Sequence, residues 1–262
     1  MGERLINPIF NVHDKYKEVN IINPYRFAAG GTTLKTGLID LYNLDEASGT
    51  IVNDSVGAYD GSNSNVTVNQ TGKIIKSYLF SDNDYIAAST AMLPNSTYLT
   101  ISAWVKLSSF TDHTAATIIN KYGNTSNNAY ITVDFLRDAP NANKIRFYTR
   151  NSAGTVAKHL ISTNTFNDGA WHLIVAVKDA DDVYLYVDNN LEASDVGGAA
   201  YGTYNLADVG AKQLTIGGNS GNHLQNSFVG NMEQIGIWEA ALTSAQRIAL
   251  WNSGNGLAYS SW

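Results

Sequence analysis

Acidic side chains gather at two places in the chain: Asp179, Asp181 and Asp182 in one, Asp82 and Asp84 in the other. Two carboxylates hydrolyse a glycosidic bond when they converge on one cleft roughly 5–10 Å apart, as alternate positions of a single strand allow. Both groups fall instead in turn-forming sequence, KDADD and SDND, and read as solvated turn acids. No G-x-S-x-G elbow is present for a serine nucleophile. The histidines, at positions 13, 113, 159, 172 and 223, show no H-x-x-x-H spacing, and the absence of cysteine excludes thiolate metal sites and disulfides. His172 alternates with apolar neighbours and reads as a sheet-face residue. Catalysis is not expected from these residues. Aromatic side chains make the stronger signal. Trp104, Tyr130, Tyr148, Tyr184 and Tyr186 occupy positions whose alternation turns them away from a core. Flat rings stack on sugar rings, so these five are the candidate carbohydrate-binding residues, flanked by Arg146 and Arg150, with Tyr201 and Tyr204 in a nearby loop. The same rings serve equally as cross-strand pairs or as surface covered by another subunit.

The elements that position them are strands. In FNDGAWHLIVAVKDADDVYLYVDNNLEAS, Trp171, Leu173, Val175 and Val177 alternate with His172, Ile174, Ala176 and Lys178. Val183, Leu185 and Val187 alternate with Tyr184, Tyr186 and Asp188. A period of two is what a strand with one buried face requires, and the Asp- and Asn-rich breaks read as tight turns of an antiparallel meander. The pattern recurs in LTISAWVKL (99–107), where Trp104 and Lys106 oppose Val105 and Leu107. It recurs in YITVDF (130–135) and in KIRFYTR (144–150). Further strands are read at 38–44, 78–80, 85–86, 117–120, 214–216 and 228–238. One helix is predicted near the end, with Thr243 as N-cap, Gln246 closing a capping box and Gly254 ending it. Many short strands with polar turns specify an all-β, two-sheet antiparallel sandwich or jelly roll with one short C-terminal helix.

Residues 1–36 differ from this pattern. They hold two of the four prolines, Pro8 and Pro24, each after an asparagine, and a Gly30-Gly31 joint. Ile9, Phe10, Ile22, Tyr25 and Phe27 are too apolar for a solvated tail. The segment is read either as a strap across its own domain or as an extended docking arm that orders against another subunit. The division is therefore arm 1–36 and jelly roll 37–262.

Composition sets outer bounds. The chain of 262 residues has net charge −6 and only 15% charged residues, with 44% hydrophobic. Without a basic stripe nucleic acid is not a partner. No apolar run approaches the ~20 residues that span a bilayer, so membrane insertion is not expected. The start, MGERLINPIF, lacks the apolar core of a signal peptide, so export by the standard route is not expected either.

Taken in order, GLIDLYNLDEASGTIVNDSVGAYDG (37–61), YLFSDNDYI (78–86), LTISAWVKL, TIINKYG (117–123), WHLIVAVKDADDVYLYVDN (171–189), LTIGGN (214–219) and FVGNMEQIGIWEAALTSAQ (228–246) resemble the laminin G-like, concanavalin A-like jelly roll of bacterial surface and phage virion proteins. The family's acidic pair before the last long strand is replaced here by Met232-Glu233-Gln234. The ending RIALWNSGNGLAY is similar to that of phage structural proteins carrying this domain. The resemblance implies two curved antiparallel sheets. It also implies a non-enzymatic virion protein, a capsid decoration or tail appendage at the particle surface. Its expected partners are other virion proteins through the arm, further copies of itself, and host glycans. The alternative is a carbohydrate-binding module or adhesin of a secreted bacterial protein. No cofactor is implied. A structural calcium is the one ion the family suggests, on Asp54 and Asp60 with Glu233 as partner; the same acids also suit an Asx-rich loop.

Overall fold

Where the alternation is clean, the chain forms strands. The structure, a computed structural model, describes residues 33–57, 59–88, 96–110, 115–122, 130–151, 153–198, 200, 213–218 and 226–262. The arm residues Ile9, Phe10, Ile22, Tyr25 and Phe27, and the loop residues Tyr201 and Tyr204, lie outside this set. In chain order the first strands are β1 (Leu38–Tyr42), β2 (Ile51–Val52), β3 (Gly61–Ser64), β4 (Thr67–Thr71), β5 (Lys76–Phe80), β6 (Tyr85–Ala87), β7 (Tyr98–Phe110) and β8 (Ala115–Tyr122). They are followed by β9 (Tyr130–Leu136), β10 (Ile145–Arg150), β11 (Ala157–Ile161), β12 (His172–Asp179), β13 (Asp182–Val187), β14 (Asn190–Asp195), β15 (Thr215–Ile216), β16 (Phe228–Trp238) and helix α1 (Ser244–Trp251).

The first sheet runs β14-β13-β12-β7-β16-β5-β4, with β1 also paired to β16; the second runs β11-β10-β9-β8-β15-β6-β3-β2. The pairings described are antiparallel. Between the sheets lies the main core. It takes Leu99, Ile101, Ala103, Val105 and Leu107 from β7, Ile131, Val133 and Phe135 from β9, and Ile145 and Phe147 from β10, as the period of two predicts. The turn between β13 and β14 places Asp188 (φ 51) and Asn189 (φ 63) in left-handed backbone, the geometry of a type I′ hairpin.

Strand β12 departs from the one-faced reading. Ile174 and Ala176 enter the main core, while Leu173, Val175 and Val177 enter a second core on the other side of the first sheet. Leu242, Leu250 and Trp262 belong to that second core, so α1 and the C-terminal tail cover the outer face of this sheet. The cover is aromatic: Trp251 stacks on Trp104 at 5.5 Å and Trp262 on Trp238 at 5.6 Å. Gly236 makes room, since a Cβ there would come within 2.5 Å of the Trp238 ring. The capping box forms as read, with Thr243 Oγ1 accepting from Gln246 N. Helix termination begins earlier than Gly254, at Asn252 (φ 46) and Ser253 (φ 55). Thr33–Lys35 forms a 3-10 turn, Leu34 is buried in the second core, and its carbonyl accepts the Trp238 indole N–H at 2.6 Å. The last residues of the segment read as an arm thus pack with the sandwich.

Strands β2 and β3 sit inside what reads as a loop, and β4 (TVNQT), β11 and β14 were not legible as strands. Each is short or polar on both faces, so its pairing partner rather than its own periodicity makes it a strand. Edge strands β11 and β14 are closed against one another. Lys158 Nζ on β11 donates to Asp195 Oδ1 at 2.8 Å on β14. Just past β11, Thr163 Oγ1 donates to Glu192 O at 2.9 Å, and Asn164 N to the Glu192 carboxylate at 3.0 Å.

Candidate functional site

With Ile131, Val133, Ile145, Phe147 and Leu160 committed to the main core, the intervening residues of β9, β10 and β11 face outward from the second sheet. Register then aligns them. Tyr148 lies directly opposite Thr132 on β9 and His159 on β11, and Arg150 opposite Tyr130. The rings touch: Tyr130 and Tyr148 are 5.2 Å apart with planes tilted by 59°, and Tyr148 and His159 are 5.7 Å apart edge to face. Asn120 Nδ2, from β8, donates to Tyr130 Oη at 3.0 Å. One step along the strands, Arg146 Nε donates to Asp134 Oδ1 at 2.9 Å and Nη2 to Oδ2, a bidentate pair whose carboxylate is 2% exposed. In this ladder of rings, Tyr130, Tyr148 and Arg146 are half-buried and His159 is exposed, while the Asn120 amide and the Thr132 hydroxyl beside them are buried. Chemically it offers π-faces and guanidinium hydrogen-bond donors.

Of the five aromatic candidates, only Tyr130 and Tyr148 come together here. Trp104 does leave the main core, as alternation predicts, but it is 1% exposed beneath Trp251 and cannot meet a ligand. Tyr184 and Tyr186 lie on the opposite outer face, that of the first sheet. They stack on each other at 6.2 Å, and the Arg247 guanidinium sits 3.9 Å from the Tyr186 ring centroid. The five rings therefore divide between two faces of the sandwich. Asn120, Asp134 and His159 complete the ladder without having been singled out. Strands β8 and β9 were legible around Asn120 and Asp134, but β11, which carries His159, and the pairing of the three strands were not.

Of the acids read as solvated turn residues, Asp82 and Asp181 lie in turns, Asp84 is buried and accepts from Ser81 N at 2.7 Å, and Asp179 and Asp182 are the paired end residues of β12 and β13, with Asp182 accepting from Gly197 N at 2.9 Å. The acids suggested for calcium do not fit a shared ion. Asp54 accepts from Leu41, Val56 and Gly57 N at 2.9–3.1 Å, and Asp60 accepts from Asp54 N at 2.9 Å. Glu233 turns elsewhere, to the N–H groups of Lys73, Ile74 and Ile75. Backbone donors take the lone pairs a cation would need. His172 is held from both ring nitrogens, by Asp188 at 2.7 Å and Asp168 at 3.0 Å. Burial pulls its pKa down, but the hydrogen bonds and charges of these two carboxylates outweigh that and hold it above the ordinary value.

Comparison with solved structures finds the same architecture at low identity. The binding domain of Paraclostridial mosquitocidal protein 1 superposes with TM-score 0.61 at 16% identity, covering 84% of this chain and 53% of that one. The botulinum neurotoxin serotype D ligand-binding domain in complex with N-acetylneuraminic acid gives TM-score 0.57 at 15% identity, over 86% and 52%. Domain 4 of AbnA, an extracellular arabinanase from Geobacillus stearothermophilus in complex with arabinotriose, gives 0.56 at 16% identity, over 80% and 95%. The chain thus spans about half the length of the toxin chains it matches. The comparison with curated proteins returned no match. Residues 80–246, more than half of the chain, match the family model for this fold, and the protein belongs to the concanavalin A-like lectin/glucanases superfamily.

Proposed function

We propose that the protein is a non-enzymatic glycan-binding jelly roll, displayed on a phage particle through residues 1–36, and that the outer face of its second sheet is the binding surface. The observation that carries the binding reading is the Tyr130–Tyr148–His159 ladder with its polar border. The sugars in the AbnA and neurotoxin complexes support glycans as the ligand class. The test is the affinity of the full chain for a panel of soluble oligo- and polysaccharides. Stacking of one ring is worth roughly 1–3 kcal/mol by analogy with base stacking, so Tyr148→Ala and Tyr130→Ala are each expected to weaken binding about tenfold or more while the chain stays folded, as its circular dichroism would show. A panel without a single binder, or two variants that bind like the parent, would overturn the reading.

The attachment role is supported by the apolar, proline-punctuated start and by the likeness of the ending to phage structural proteins. Its test compares the solution mass of the full chain with that of a chain beginning at Thr33, which retains Leu34. The full chain is expected to self-associate and the shortened one to be a folded monomer. Two identical monomers would instead favour a carbohydrate-binding module of a secreted bacterial protein, the reading supported by the 95% coverage of the arabinanase domain.

A further inference from the structure

Between β11, at the edge of the second sheet, and β12, inside the first, the chain crosses over through residues 162–171. The first half of this crossover is tied down. Ser162 N donates to Ile145 O at 2.8 Å, Asn164 N and Nδ2 each donate to the Glu192 carboxylate at 3.0 Å, and Phe166 N donates to Asn143 O at 3.0 Å. Its tip, residues 167–170, is exposed, and a Cβ on Gly169 would meet nothing within 4 Å. Asp168 holds this tip: its Oδ1 accepts from Ala170 N at 2.8 Å and lies 3.0 Å from His172 Nε2. On the other side of the ring, His172 Nδ1 lies 2.7 Å from Oδ2 of Asp188, in the left-handed turn between β13 and β14. A neutral imidazole has one N–H and donates to one of these carboxylates, so the other meets a lone pair. Only the imidazolium donates to both. Asp188 is the better fixed of the two, since its Oδ1 accepts from Leu173 N at 2.9 Å and its side chain is 23% exposed, against 62% for Asp168. A ring that loses its proton therefore keeps Asp188 and turns its lone pair on Asp168.

We propose that His172 is an acid-closed clasp: as imidazolium it ties the crossover tip at Asp168 to the β13–β14 turn at Asp188, and on losing its proton it releases the tip. The titratable groups that bear on the ring are these two acids, one from the crossover and one from the turn. Its other neighbours are apolar. Val105 lies opposite it on β7, and the Phe166 ring meets it edge to face at 5.1 Å. Glu192, on β14, is taken up by Asn164. Burial lowers the pKa of His172, but the hydrogen bonds and charges of Asp188 and Asp168 outweigh it and leave the net shift upward. The Ala170 N–H, followed by the bond to His172, holds Asp168 below the ordinary carboxylate range, so this acid stays charged wherever the histidine titrates. The folded value of His172 lies above the unfolded one of about 6.5. The clasp therefore contributes in full below about pH 6.5 and is lost as the pH rises through the folded value. The tip is shut in acid and open in alkali.

The experiment follows the full chain by nuclear magnetic resonance from about pH 5.5 to about pH 9, a range that brackets the histidine titration. It reads the His172 ring resonances together with carbon order parameters of the backbone, which amide exchange at high pH does not disturb. The His172 midpoint is expected above about 6.5. Across that titration the order parameters of Asp168, Gly169 and Ala170 are expected to fall from the rigid range, about 0.85, to below about 0.6, while those of β12 stay rigid. Asp168→Asn separates a clasp from a merely structural contact. The carboxamide keeps an oxygen for Ala170 N and has an NH2 that donates to the neutral ring, with no charge to be repelled. In that variant the tip is expected to stay ordered at both ends of the range, with a lower His172 midpoint. A parent tip whose order does not change while the ring titrates would overturn the clasp, as would a midpoint at or below about 6.5. Loss of order shared equally by β12 would mark general unfolding and overturn it too. So would an Asp168→Asn chain that keeps the parental pH dependence.

Discussion

Replacing Glu233 by alanine is expected to lower the unfolding free energy by about 3–5 kcal/mol, among the larger effects of single substitutions. Glu233 is 2% exposed on β16, directly opposite Trp104 on β7. Its oxygens accept from three successive backbone N–H groups: Lys73, Ile74 at 3.0 and 3.1 Å, and Ile75 at 2.7 Å. Hydrogen bonds to an ionised group contribute about 1.5–3 kcal/mol each, and a donor left buried without a partner costs about 1–3 kcal/mol, so losing three at once is severe even when the terms do not add. The damage spreads, because Ile74 packs into the second core and Lys73 Nζ lies 5.6 Å from the Trp104 ring. At about 2–4 °C per kcal/mol for a domain of this size, melting should fall by roughly 10 °C. Thermal unfolding at pH 7 decides it. A drop of only a degree or two would mean that the loop at 73–75 is held by other contacts.

Asp40→Asn is expected to do the opposite, and only at neutral and higher pH. Asp40 is 1% exposed on β1, and neither of its oxygens receives a hydrogen bond. Burial, followed by the Asp54 charge and hydrogen bonding to Asp54, pushes its carboxyl up to about 7, with Lys121 opposing. Burial penalises the charged form most, and the Asp54 charge adds to it, so the folded state keeps the proton. The unfolded chain releases that proton near pH 4. Below that pH both states are protonated and stability is complete. Between about 4 and 7 the unfolded state loses its proton while the folded state holds on, so stability falls as pH rises, by on the order of 3–4 kcal/mol in all. Asparagine has nothing to release, and its amide can donate to Asp54. Urea unfolding at pH 4.5 and pH 8 should show the variant gaining a few kcal/mol on the parent across that interval. Groups such as His172 titrate in both chains and largely cancel in the difference. Parallel pH profiles would show that Asp40 is not the titrating group.

Neither position announces itself in the amino-acid string. Glu233 reads as a relic of an acidic pair, and its work depends on a loop about 160 residues away. Asp40 sits in GLIDLY at a position that alternation alone would give to solvent or to an edge. Legibility was better for the strands. The alternation in LTISAWVKL, YITVDF and KIRFYTR named the right inward residues, and FVGNMEQIGIW is β16 from end to end. It was poorest for polar strands such as β4, and for β12, where both faces are apolar and alternation has nothing to contrast.

The limit is physical. The pleat of a strand assigns each side chain to one side of a sheet within two residues, so a short window of sequence carries that information. What lies over that side is set by elements far away in the chain, as Trp251 is from Trp104. Sequence alone determined the sandwich class, a tight turn at Asp188-Asn189-Asn190, the capping box of α1, and the outward parity of Trp104, Tyr130, Tyr148, Tyr184 and Tyr186. Tertiary structure decided the rest. It laid Trp251 over Trp104, put Tyr184 and Tyr186 on the opposite outer face, and brought Asn120, Asp134 and His159 from β8, β9 and β11 around Tyr130 and Tyr148. Register between strands is a many-body outcome of packing both cores at once, and no single stretch of residues encodes it.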